Sequence, residues 1–209
     1  MLTTRQLTFS YDRQNEFEFP DISCGRGETW LLLGQSGSGK TTMLHLLAGM
    51  LRPKEGTIEV NGTNLSKLSA SSLDRFRGNH IGVIFQKPHF LQALTVGENL
   101  ALAQKLAGQV VDNQRIKSLL ERLNIGTKIN QKPNKLSQGE QQRASIARAI
   151  INQPDLILAD EPTSALDDSN TSEVLSLLEE QAKDLNAALL IVTHDGRLKE
   201  FVEKQIELT

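Results

Sequence analysis

The sequence predicts an α/β fold in which a mainly parallel sheet is combined with antiparallel β structure and with a helical insertion. Residues 29–33, 81–85, 156–159 and 188–192 form short, almost wholly apolar runs, as expected of strands buried on both faces of a parallel sheet. Residues 7–11, 17–19 and 57–60 alternate apolar and polar side chains instead, the pattern of half-exposed antiparallel strands. Between Gln86 and Leu136 the apolar residues recur at helical spacing.

Composition fits this reading. A chain of 209 residues with 38% hydrophobic content suits one soluble domain with a substantial core. The formal net charge of −2 and a pI near 6.1, with Lys and Arg scattered along the chain, argue against a nucleic-acid-binding face. The one cysteine, Cys24, cannot form an internal disulfide, so nothing calls for an oxidising compartment. The N-terminus has no signal-peptide core, and no apolar run approaches the ~20 residues that span a bilayer. A cytoplasmic chain is expected, with any membrane role coming through a partner.

In chain order, the first alternating segments read as a meander with its turn at residues 12–15, and the strand at 57–60 ends at Asn61-Gly62, a strong turn signal. Tyr11 has two readings, an aromatic ring that could stack on a nucleobase or a cover for the sheet edge. The first apolar run then leads into Gly34-Gln35-Ser36-Gly37-Ser38-Gly39-Lys40-Thr41-Thr42, which precedes the helix-like residues 43–48. This is a phosphate-binding loop, the mark of a P-loop NTPase core. Its glycines let backbone N–H groups curl around a phosphate, Lys40 supplies a compact charge, and the Thr41 hydroxyl can ligate Mg²⁺. The following helix adds the positive end of its dipole.

The other apolar runs end at Gln86, at Asp160-Glu161 and at Thr193-His194-Asp195. Ligands of open α/β sheets bind beyond the carboxyl ends of the strands, so these polar endings predict one composite site. Asp160 is placed to hold a phosphate-bound Mg²⁺, and Glu161 to polarise the attacking water. Gln86 could reach the metal or that water, and His194 the γ-phosphate. Taken singly, an acidic pair is often a solvated strand end, and an isolated Gln or His is more often structural.

The sequence Leu136-Ser137-Gln138-Gly139-Glu140-Gln141-Gln142-Arg143 opens a helix through a capping box of Ser137 and Glu140, and Ala144, Ala147, Ile150 and Ile151 form the apolar stripe of that helix. An ordinary cap explains this as far as it goes, but a capped helix start also presents N–H groups and a hydroxyl to an anion. Here the chain resembles the ABC ATPase family, whose signature is Leu-Ser-Gly-Gly-Gln. It departs from that pattern at Gln138 and Glu140 and keeps Ser137 and Gly139. The resemblance covers essentially the whole chain, with the motifs in the family's order: Walker A at residues 34–42, the Q-loop at Gln86, the signature at 136–140 and Walker B at 156–160. Glu161 then matches the catalytic glutamate, Ser164-Ala165-Leu166-Asp167 the D-loop, His194 the switch histidine and Tyr11 the adenine-stacking aromatic.

The resemblance implies one ABC ATPase domain over residues 1–209, with an antiparallel β subdomain and a helical subdomain inserted at about 88–153. It implies ATP and Mg²⁺ as ligands, with Thr41, Gln86 and Asp160 toward the metal. It also implies a head-to-tail dimer, expected to be of identical subunits, in which Ser137 and Gly139 act on ATP held by the other subunit's Lys40. An integral membrane permease-type partner is expected, docking a helix near Lys87-Pro88-His89-Phe90-Leu91, although Phe90 and Leu91 serve equally well as packing residues. The chain is thereby expected on the cytoplasmic face of the inner or plasma membrane, with no nucleic-acid partner. Beyond the stripe of Ile116, Leu119, Leu120 and Leu123, which is expected to end at Gly126, core-packing helices are expected around residues 174–185 and 198–202. The compact length, with Arg75 and Arg77 before residues 81–86, looks most like the branch serving lipoprotein release, macrolide export and cell division. The alternative is a soluble ABC-type ATPase acting on ribosomes or nucleic acid; the usual forms of that class carry two cassettes or a long coiled coil, and this sequence shows neither.

Overall fold

The structure, a computed structural model, describes residues 1–12, 16–35, 37–164 and 168–208. Two sheets carry the fold. The antiparallel one contains β1 (Leu2–Ser10), β2 (Glu16–Phe19), β3 (Ser23–Cys24), β5 (Glu55–Val60) and β6 (Thr63–Asn64), in the order β2-β1-β5-β6 with β3 paired to β1. Phe9 lies opposite Phe17, and Val60 opposite Thr63 across the Asn61-Gly62 turn. Both turn residues have positive φ, 50° and 75°, the twist that a tight two-residue hairpin requires.

The second sheet is parallel throughout, in the order β10-β4-β9-β8-β7, from β4 (Thr29–Gly34), β7 (Ile81–Ile84), β8 (Leu156–Asp160), β9 (Ala188–Thr193) and β10 (Lys204–Leu208). Alternate residues feed two cores. Leu31, Leu33, Ile157, Ala159, Leu189 and Ile191 join the core shared with the helices α3 (Val96–Leu106), α4 (Asn113–Arg122), α5 (Gln138–Ile150) and α6 (Asp168–Asp184). Leu32, Leu156, Leu158, Leu190 and Val192 join the core under α1 (Lys40–Leu47) and the antiparallel sheet. Burial on both faces is why these strands read as unbroken apolar runs.

Three features differ from the sequence expectations. Residues 198–202 do not form a helix; a short 3₁₀ turn at Gly196–Glu200 leads into β10, which pairs in parallel with β4. An edge strand needs only one covered face, and β10 offers Ile206 and Leu208, too short a pattern to register. The helix α2 (Ala70–His80) was not foreseen, because Leu73 is its one fully buried residue. The stripe of Ile116, Leu119, Leu120 and Leu123 is buried as expected, but the left-handed residue after α4 is Asn124 (φ 57°), and Gly126 opens a 3₁₀ turn.

A buried amide orders the start of the helical insertion. The buried Asn99 side chain accepts the Leu91 N–H at 3.0 Å and donates to the carbonyls of Leu91 and Thr95 at 3.2 and 2.8 Å. The segment following Gln86 is thus held onto α3.

Candidate active site

Residues 34–42 turn from β4 into α1. Gly39 takes φ 89°, where a Cβ would also lie 2.9 Å from the Phe17 ring, and Gly37 takes φ 87°. Only glycine adopts these angles without strain, and the resulting turn folds the loop back over the helix start. Lys40 is buried, and its ammonium donates to the carbonyls of Gly34 and Gln35 at 2.7 and 2.8 Å across the loop. Ser36 and the segment 165–167, where the D-loop was expected, lie outside the described residues.

The parallel sheet delivers its polar strand ends to the same place. A cavity of about 570 Å³ is lined by Gly37, Gly39, Lys40, Thr41 and Thr42 on one side and by Gln86, Glu161 and His194 on the other, with Phe17 at its wall. A larger cavity, about 870 Å³, opens on the other flank of the loop between Gly34, Gln35, Ser38, Lys199 and Glu207, and shares His194.

Below the loop, the Thr41 hydroxyl donates to Asp160 Oδ2 at 3.4 Å. Asp160 is buried, its Oδ1 has no hydrogen-bond partner, and burial followed by the neighbouring Glu161 charge pushes its carboxyl above the usual range. A buried carboxylate with one oxygen unpaired beside a threonine hydroxyl fits a hard divalent cation completed by phosphate oxygens and water. Among the described residues no group of three or more His, Cys, Asp or Glu side chains could hold a metal by itself.

Glu161 has φ 47°, a left-handed backbone held by its N–H donating to the Val192 carbonyl at 2.8 Å. Its Oε2 accepts the Thr193 hydroxyl at 2.8 Å, and its Oε1 accepts the His194 N–H at 3.0 Å and faces His194 Nδ1 at 2.6 Å. His194 thus faces the carboxylate as well as the cavity. Gln86 donates from Nε2 to the Ser164 hydroxyl at 3.3 Å. Tyr11 is 63% exposed, its hydroxyl lies 3.1 Å from Thr42 Oγ1, and its ring packs edge-on against Phe9. It stands beside the loop with an open face, and both of its readings remain compatible with that position.

Ser137 and Gly139 line neither cavity. Ser137 caps α5, accepting the Glu140 N–H at 3.3 Å while Glu140 reaches back to the Ser137 N–H at 2.8 Å, and a Cβ on Gly139 would meet nothing within 4 Å. Ser137 is exposed and Gly139 half-buried, while Gln138 between them lines a cavity of about 310 Å³ with Lys87, Pro88, Gln86 and Glu161. Among residues 87–91, His89 lines a groove of about 550 Å³ with Met50, Arg77, Phe85, Leu106 and Arg148. Phe90 is buried with the Arg148 guanidinium 4.7 Å from its ring centroid, whereas Leu91 is 54% exposed.

Sequence reasoning missed Phe17 as part of the site, and it placed Thr193 among the polar strand endings without giving it a contact of its own. Phe17 was legible only as a strand residue, and its approach to Gly39 depends on how two sheets meet.

Fold and site together define a phosphate-loop nucleotide hydrolase. The family model described as "ABC transporter" matches residues 19–164. The chain belongs to the ABC transporter family, as an ATP-binding subunit that hydrolyses ATP. It is 36% identical to the lipoprotein-releasing system ATP-binding protein LolD of Legionella pneumophila (strain Lens), across 100% of this chain and 94% of that protein. It is 43% identical to the macrolide export ATP-binding/permease protein MacB 1 of Aeromonas hydrophila subsp. hydrophila, across 90% of this chain but only 29% of that longer protein. A dimeric, post-hydrolysis structure of the ATP-binding cassette MJ0796 bound to ADP and Pi superposes with a TM-score of 0.89 at 30% identity, covering 100% of this chain and 94% of that one.

Proposed function

We propose that this cassette closes head to tail with a second, identical copy around two ATP molecules and drives a separate membrane protein, in export, lipoprotein release or a mechanical stroke. The observation that supports the reading is the division of the site: Lys40, Thr41, Gln86, Glu161 and His194 share one cavity, whereas Ser137 and Gly139 do not line it. A γ-phosphate needs positive groups on both sides, so the signature helix start has to come from another subunit.

In this reading the loop N–H groups and Lys40 hold the phosphates, and Tyr11 stacks on the adenine. Glu161 accepts the proton of the attacking water. His194 moves from Glu161 to the γ-phosphate, and Gln86 reports nucleotide state to the helical insertion. Thr41, Asp160 and Gln86 would hold Mg²⁺, which would supply charge neutralisation at the phosphates. Loss of the γ-phosphate removes the charge that joins the halves and shifts the population toward an open dimer.

The groove beside His89, with Leu106 75% exposed and Met50 40% exposed at its rim, suits an apolar helix of a membrane partner. Among the described residues no helix is long and apolar enough to cross a membrane, which is consistent with attachment to the cytoplasmic face of the inner or plasma membrane through that partner. The net charge of −2 favours no nucleic-acid partner. The test is affinity purification of tagged Glu161→Gln protein with ATP and Mg²⁺ from detergent-solubilised source cells. A multi-span membrane protein is the expected companion; ribosomes or nucleic-acid proteins in its absence would overturn the reading.

A further inference from the structure

Glu161 is gripped by three consecutive residues at the end of β9. The Val192 carbonyl holds its backbone N–H, the Thr193 hydroxyl holds Oε2, and His194 holds Oε1 through both its backbone N–H and its ring. These contacts are not equivalent. The His194 side chain is 65% exposed on its side of the pair and sits at the edge of two cavities, so its ring has room to move. Thr193 is fully buried in the strand. Its Oγ1 also accepts the Asp195 N–H at 3.0 Å, so the single hydroxyl hydrogen is directed at Glu161.

We infer that Thr193 is a positioning residue for ATP hydrolysis, fixing Oε2 of Glu161 so that Oε1 alone serves as the base once the His194 ring swings away. The inference rests on the proposed role of Glu161 as the base. With the ring away, the His194 backbone N–H holds Oε1 at one point only, and the Thr193 hydroxyl on Oε2 is the second point that stops the carboxylate rotating about its terminal torsion. In the step itself, Oε1 takes a proton from water as the water oxygen bonds to the γ-phosphorus. The bond from that phosphorus to its bridging oxygen breaks, and the electron pair leaves on ADP. Thr193 touches none of the reacting atoms and keeps its proton throughout.

The test compares Thr193→Val, which keeps shape and loses the hydroxyl, with Thr193→Ser, which keeps the hydroxyl. Both are measured on the full-length chain by steady-state ATPase turnover and by titration with a fluorescent ATP analogue. Misaimed bases lose roughly 10- to 100-fold. Thr193→Val is expected to lower kcat by that factor while KM and analogue affinity stay unchanged, and Thr193→Ser is expected to recover turnover to within a few-fold. In a Glu161→Gln background, Thr193→Val should bring no further loss. Wild-type kcat in Thr193→Val, an equal loss in Thr193→Ser, or a further tenfold loss on top of Glu161→Gln would each overturn the inference. If Thr193→Val does not fold, Thr193→Ala carries the same expectations. Wild-type turnover in Glu161→Gln alone would overturn the role of Glu161 and this inference with it, whereas slow Glu161→Gln beside unaffected Thr193→Val overturns this inference only.

Discussion

Replacing Ser137 with arginine separates its helix cap from the role proposed for it toward the other subunit's nucleotide. Within one chain Ser137 is an exposed helix cap, joined to Glu140 by hydrogen bonds of 3.3 and 2.8 Å. Loss of such a cap costs about 1 kcal/mol. For a domain of this size that lowers the melting temperature by about 2–4 °C. Even at the low end of native stability, about 5 kcal/mol, roughly one molecule in a thousand would be unfolded after the substitution. Ser137 is exposed, so an arginine at this position can extend into solvent in the monomer. In the closed dimer it would put bulk and a side chain where the other subunit's γ-phosphate belongs. Removing a preorganised donor to a developing anion costs roughly 10²–10³-fold in rate, and blocked closure costs at least that. The assay pairs thermal melting with ATPase turnover. A melting point within a few degrees of wild type together with a loss of turnover of roughly a hundredfold is expected. Recovery of activity in an equal mixture of Ser137→Arg and Lys40→Ala chains would support the assignment, because one composite site in the mixed dimer is intact. Folded Ser137→Arg protein with wild-type turnover would refute the assignment of Ser137 to the other subunit's nucleotide.

Two further substitutions test the phosphate and metal side. The Asp160 carboxyl is pushed above its usual range by burial and by Glu161, so the native state holds its proton more tightly than the unfolded chain. The stability that protonation contributes is therefore fully present below the unfolded value of about 4 and is lost as pH rises through the folded one. At neutral pH, without metal or nucleotide, Asp160→Asn should melt above wild type while losing Mg²⁺-dependent turnover; a lower melting point in EDTA would contradict a buried carboxylate with one oxygen unpaired. Gly39→Ala forces a side chain onto φ 89° and to within 2.9 Å of the Phe17 ring, a cost of about 1–3 kcal/mol. ATP-analogue affinity should fall roughly tenfold or more, and an unchanged dissociation constant would remove the loop geometry from the explanation.

The central sheet was legible because β4, β7, β8 and β9 are buried on both faces, which leaves unbroken apolar runs with polar ends. The capping box at Ser137 and the hairpin at Asn61-Gly62 were legible for a similar reason, since each depends on contacts within a few residues. What escaped depends on a second layer. The strand β10 offers one covered face and two inward residues, and α2 buries Leu73 alone. Phe17 reaches the phosphate loop only because the antiparallel sheet packs over α1, and no local pattern records that approach. Thr193 sat in plain view beside His194, but its hydroxyl gains meaning only from the left-handed backbone of Glu161, which turns the carboxylate back toward β9. Tertiary geometry likewise separates His89, which lines the groove, from Phe90, which lies beneath Arg148.

The most direct test is the mass of Glu161→Gln protein in sedimentation equilibrium, with ATP and Mg²⁺ in one cell and ADP and Mg²⁺ in another. Closure around a γ-phosphate that cannot be removed predicts twice the 23.1 kDa chain mass in ATP and the chain mass in ADP. The same mass in both nucleotides would contradict ATP-driven closure of two cassettes.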